Sequence, residues 1–149
     1  MLPSSHFILG IIFSAILFFF GIPLWQILII FSAAVFIDID HYLIYAVRKK
    51  DWNPKNSFNY FIELGGKYKS AKNIKAPFAV LHTIEIIGVI SLISIYSQFF
   101  FLILVGFLFH CIFDIANMLL KGELFVREYS LVLYLNRRKK GKLKYIEYD

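Results

Sequence analysis

Across its long apolar stretches this 149-residue chain carries no lysine or arginine, and over its whole length it has a single cysteine. The lone Cys111 excludes an intrachain disulfide and, lying inside an apolar block, reads as a buried structural thiol. The absence of thiolate partners argues against a structural zinc cage or an iron–sulfur cluster. Charge is scarce as well: 17% of residues are charged and 59% are apolar, against about 45–50% apolar in a soluble domain, so an ordinary soluble domain is excluded. No lysine or arginine precedes the first apolar run, and no small-residue cleavage pattern follows it, so no cleaved signal peptide is expected. Internal repeats are absent.

What is present is organised in blocks. Apolar segments at 7–20, 24–47, 77–96 and 99–120 predict an all-α integral membrane protein, a four-helix transmembrane bundle running up-down-up-down. The Gly21–Pro23 break separates the first two segments and an SQ interruption separates the last two. All sixteen Lys and Arg residues fall in two segments, from Arg48 to Lys75 and from Lys121 to Lys144. Cationic loops stay on the cytoplasmic side, which predicts a multi-pass protein of the cell membrane with both termini cytoplasmic. The expected domains are a membrane part over 1–120, including the loop 48–75, and a basic tail over 121–149. Within the loop, NSFNYFIEL reads as an interfacial amphipathic helix ended by Gly65 and Gly66. In the tail, SLVLYLNRRKKGKLKYIEYD alternates apolar and polar residues about a basic turn and predicts a β-hairpin, the other reading being a disordered basic tail.

The few ionisable residues in the apolar blocks are of one chemical kind. They are His6, then Asp38, Asp40 and His41, then His82 and Glu85, then His110 and Asp114. Such groups cost about 2.5–3.5 kcal/mol each at a bilayer centre, so they face a bundle interior and mark a site. Asp38 with His41, His82 with Glu85, and His110 with Asp114 are spaced three or four apart, which puts each pair on one helix face. Asp40 is the exception, about 200° from Asp38 on a regular helix; it reaches the same site only if the helix loosens, or it caps a neighbouring backbone group. The charge-based topology uses none of these residues, yet delivers all of them to the cytoplasmic leaflet. Gathered there without a basic partner, they would repel one another unless protonated or bound to a cation. Mixed imidazole and carboxylate donors suit zinc first, then manganese or iron, as one or two divalent ions.

In order and spacing, His6 in SSHFILG, the DIDH run of Asp38, Asp40 and His41, His82 in LHTIE, and His110 with Asp114 in HCIFD resemble the YdjM-like family of membrane-bound metal-dependent hydrolases. The resemblance covers about the first 120 residues. It implies a multi-span helical protein with metal-dependent hydrolytic activity, and the HxxxD set is also similar to the ligands of zinc-dependent phospholipase C and related helical nucleases. The chain has Ile37 where the family commonly has a proline, and KAPFAVLH lacks the family's His-Arg pair; Lys72 and Lys75 are the nearby cationic candidates. The resulting expectation is a hydrolase that cleaves a phosphoester of a lipid or lipid-like substrate at the cytoplasmic face. His6, Asp38, His41, His82, His110 and Asp114 would be its metal ligands, and Glu85 or Asp40 its general base. Its partners would be membrane lipids and a phosphoester substrate, with no nucleic acid. The alternative is a metal- or proton-binding transporter or sensor, which would need polar groups along a path across the bilayer. The outer halves of the segments offer neutral groups such as Ser14, Gln26, Ser91 and Ser94.

Overall fold

A computed structural model describes residues 3–68, 74–75, 78–124, 127–140 and 144–145. Among these the helices are α1 (Pro3–Phe19), α2 (Leu24–Phe36), α3 (Ile39–Lys49), α4 (Pro54–Tyr68), α5 (Ile84–Ser94), α6 (Gln98–Lys121) and α7 (Leu131–Lys139). The described strands are β1 (Ile74–Lys75) and β2 (Lys144–Tyr145), paired in parallel with Ile74 opposite Lys144. The fold is otherwise helical.

Two helical stretches are long and apolar enough to cross a membrane: the 26-residue run Leu24–Lys49, formed by α2 and α3, and the 24-residue α6. Only 28% of the apolar window of each is buried, whereas a core helix of a soluble protein is mostly enclosed. The other two expected spans are shorter. α1 has 17 residues and α5 only 11, so α5 rises about 16 Å, roughly half of a ~30 Å hydrocarbon core. The third apolar segment is therefore not helical from its start. Thr83 ends the preceding turn, its hydroxyl donating to the Val80 carbonyl (2.8 Å) and accepting from the Ile86 N–H (3.5 Å), which sets the N-terminus of α5. His82 lies before that cap. The expectation that His82 and Glu85 share a helix face is thus corrected.

α2 and α6 form the centre, with α1 packed on α2 and α5 on α6. Their seam is held by small residues. A Cβ on Gly106 would come 2.5 Å from the Ile30 carbonyl oxygen and 2.8 Å from Ala33 Cβ, so only glycine permits this approach of the two backbones. Gly10 does a milder version of the same for α1, where a Cβ would sit 3.1 Å from the Phe31 ring. The outward faces remain apolar, with Ile11, Phe18, Leu28 and Phe101 about half exposed or more.

At the other end the chain departs from two expectations. α4 runs through Gly65 and Gly66 instead of ending there. The expected tail hairpin is corrected as well, because its first arm is α7. Ser130 caps α7 by accepting the Leu133 N–H (3.2 Å), and Glu85 of α5 accepts from Ser130 Oγ (2.6 Å), Leu131 N (3.0 Å) and Val132 N (3.3 Å). Four donors at the helix start are satisfied in this way, so an alternating sequence made largely of good helix formers turns helical. The Ile84 N–H donating to the Tyr129 carbonyl (2.9 Å) ties the same segment to α5.

Candidate metal centre

The centre is built at one end of the α2–α6 seam. Gly106 and His110 are one turn apart on α6, as are Ile30 and Ala34 on α2, so the contact that fixes Gly106 on Ile30 also brings His110 to Ala34. His110 Nδ1 donates to the Ala34 carbonyl at 2.8 Å, which leaves Nε2 as the lone-pair nitrogen, aimed inward. Just beyond Ala34 the helix opens: α2 stops at Phe36, Asp38 has φ −75° and ψ 0°, and α3 restarts at Ile39. That loosening lets both aspartates of the DIDH run face the site.

Three donor atoms then meet in a nearly equilateral triangle. His82 Nε2 is 3.2 Å from His110 Nε2 and 3.2 Å from Asp38 Oδ1, and His110 Nε2 is 3.4 Å from Asp38 Oδ1. Ligands 2.0–2.1 Å from a tetrahedral zinc stand about 3.3–3.4 Å apart, so this is the spacing of one face of a coordination tetrahedron. Two further groups of donor atoms within 4.8 Å of one another share its members: His6, His110 and Asp114 on one side, and Asp40, His41 and His82 on the other. The residues present therefore fit a divalent ion, and the three groups overlap at His82 and His110.

Around the triangle each remaining residue has a distinct place. Asp40 Oδ2 accepts the Leu81 N–H (2.9 Å) and lies 3.6 Å from His82 Nδ1, so it pins the loop that carries His82 and sets a negative charge beside the ring. Asp40 thus does both things open to it: the helix loosens, and the side chain caps a backbone group. His41 Nε2 lies 3.9 Å from Asp38 Oδ1, and its ring packs edge-on against Phe61 of α4. His6 stacks on the His110 ring (3.8 Å) while its Nε2 meets Asp114 Oδ1 at 3.1 Å. Asp40 Oδ1, His41 Nδ1 and His82 Nδ1 are buried without a hydrogen-bond partner, an arrangement that native interiors keep for sites awaiting a ligand or water.

Two residues depart from the sequence reading. Glu85 does not reach the cluster; its carboxylate is occupied at the start of α7, which removes the reason to assign it as general base. The cluster also has the basic partner that the apolar blocks lack. Arg127 Nη1 donates to Asp114 Oδ2 at 2.6 Å, from the segment that joins α6 to α7. Burial is the largest influence on Arg127 and opposes its charge, but the Asp114 carboxylate, with Asp38 further off, raises its pKa above the ordinary value. The signal for it was a lone arginine within ELFVREYSLVLYL, ten residues ahead of the basic cluster. Lys72 lies outside the described residues. No family model, no curated protein and no solved structure matches the chain.

Proposed function

We propose that this chain is a membrane-embedded, metal-dependent hydrolase that cleaves a phosphoester of a lipid or lipid-like substrate at the cytoplasmic face, as its resemblance to the YdjM-like family implies. The observation that carries the reading is the triangle of His82 Nε2, His110 Nε2 and Asp38 Oδ1, whose edges of 3.2 to 3.4 Å suit zinc, manganese or iron. In this reading α1, α2–α3, α5 and α6 form a four-span bundle of unequal lengths, and the two basic segments keep the loop, the tail and both termini in the cytoplasm.

A divalent ion held by the triangle would supply Lewis acidity, polarising a phosphoryl oxygen and making water a better nucleophile near neutral pH. The chain's own residues do the rest. The Ala34 carbonyl holds the His110 imidazole with Nε2 inward, and Asp40 fixes the loop that carries His82 through the Leu81 N–H. Asp38 brings the negative charge that a cation requires, and its 21% exposed side chain lies where substrate would enter. Asp114, between His6 and Arg127, stabilises a second imidazole against the His110 ring. Asp40 remains as the general base, in place of Glu85. Apolar outer surfaces favour a substrate delivered laterally from the bilayer, with its phosphate at headgroup depth. The test is elemental analysis of the purified chain together with a lipid phosphoester turnover assay, with and without chelator. Metal-dependent turnover is expected; metal-free protein indifferent to chelator would contradict it.

A further inference from the structure

The mouth of the site differs in character from its floor. The His82 and His110 side chains are 1% and 0% exposed, whereas Asp38, His41 and Arg127 are 21%, 19% and 14% exposed. Arg127, carried by the segment that leaves α6 toward the basic tail, is a largely buried cation that reaches the cluster through Asp114. It is also close to the floor: 2.6 Å separates Arg127 Nη1 from Asp114 Oδ2, and 3.8 Å separates that oxygen from His110 Nε2. The segment is held in place at several points, since Ile84 binds the Tyr129 carbonyl, Glu85 holds the start of α7, and Arg137 pairs with Glu128 at 2.8 Å.

We infer that Arg127 and the Asp38–His82–His110 triangle together form a seat for a tetrahedral phosphoryl group, entered between Asp38 and His41. This rests on the metal reading above. A phosphoryl group bound at the triangle would keep further oxygens for a guanidinium, whose hydrogen bonds to phosphate run about 2.7–2.9 Å. Arginine suits the position because its planar fork carries five N–H donors, so one nitrogen can hold Asp114 while another edge reads a phosphate oxygen. A lysine, with its single point of charge, could not hold both partners in fixed directions. Asp114 is thereby a positioning residue for the arginine as well as for His6. The ligand chemistry is a phosphate monoester or diester, supplied either by a lipid headgroup or by phosphate free in the cytoplasm.

The test uses the full-length chain in detergent micelles, loaded with manganese(II), whose paramagnetism broadens the phosphorus NMR line of any phosphate held beside it. One arm titrates inorganic phosphate and the other phosphatidic acid in mixed micelles. Broadening at lower concentration in the lipid arm makes the headgroup the ligand, and the reverse order makes it free phosphate; either result supports the seat. Arg127→Gln is expected to weaken phosphate affinity about 10- to 100-fold with manganese stoichiometry retained, as for loss of a hydrogen bond to a charged group. Arg127→Lys, which keeps the charge and the fold, is expected to fall between. Unchanged phosphate affinity in both variants, or loss of manganese in Arg127→Lys, would overturn the seat and reduce Arg127 to a structural partner of Asp114. A wild-type chain that takes up no manganese, zinc or iron would overturn the metal reading beneath it.

Discussion

The two halves of the α2–α6 seam are held together by opposite means. Toward one end, Gly106 lies against Ile30 and Ala33, and cohesion comes from backbone approach between small residues. One turn further along, His110 meets Ala34, and from there donors arrive from α1, α3, the turn before α5 and the segment after α6. The first half needs no polar group and tolerates no side chain at Gly106. The second half is almost wholly polar, and three of its buried atoms still lack partners. Packing can thus position a site that is not itself built for stability, and the difference predicts which substitutions damage the whole bundle and which damage only its chemistry.

The largest effect should come from joining both halves in one defect. Gly106→Val drives side-chain atoms into the Ile30 carbonyl and should cost about 3 kcal/mol, near the top of the overpacking range, while pulling His110 away from Ala34. Thermal unfolding in detergent and metal content should fall together. His110→Ala separates the halves: metal content should drop to the level of chelated wild type, while helical content stays close to wild type. A subtler probe is Asp40→Asn, which removes the negative charge beside His82 and should lower metal affinity about 10- to 100-fold without removing a triangle ligand. Glu85→Gln should leave metal binding in place and speed amide exchange at 131–133, because the charge that holds the α7 start is gone. Loss of metal in that variant would return Glu85 to the site.

The smallest effect lies outside the seam, at the turn between α3 and α4. The Asn53 N–H, the Asn56 amide and the Tyr45 hydroxyl all donate to Asp51 and hold its carboxyl below the usual carboxylate range. A lowered folded pKa means that this contribution is complete above the unfolded value of about 3.9 and is lost as pH falls through the lower folded value. Asp51→Asn should mimic that loss at neutral pH, read as faster exchange at the start of α4. It should leave metal content unchanged.

What could be read from residue types and spacing was chiefly the polar half of the seam. His6, Asp38, Asp40, His41, His82, His110 and Asp114 stand out because an apolar helix has little other use for them, and the structure gathers them into three overlapping donor groups. The apolar half was legible as length and composition, but Gly106 was not, since one glycine in an apolar run says nothing about which backbone approaches it. The remaining differences come from long-range partners. His82 lies before α5 because Thr83 caps that helix, and Asp40 is held by Leu81, 41 residues away. α7 is a helix and not a hairpin arm because Glu85, 46 residues from Leu131, satisfies its N-terminus. Arg127 is not legible in this way, because it follows the last apolar block and returns to it only through the fold.

The metal centre is probed most directly by the metal content of purified full-length chain, wild type beside Asp38→Ala and His110→Ala, before and after chelator. The expected result is at least one divalent ion per wild-type chain, removed by chelator and absent from both variants, with the helical fold kept. Wild-type protein free of zinc, manganese and iron, unable to take them up and unchanged by chelator, would rule out a metal centre at the triangle.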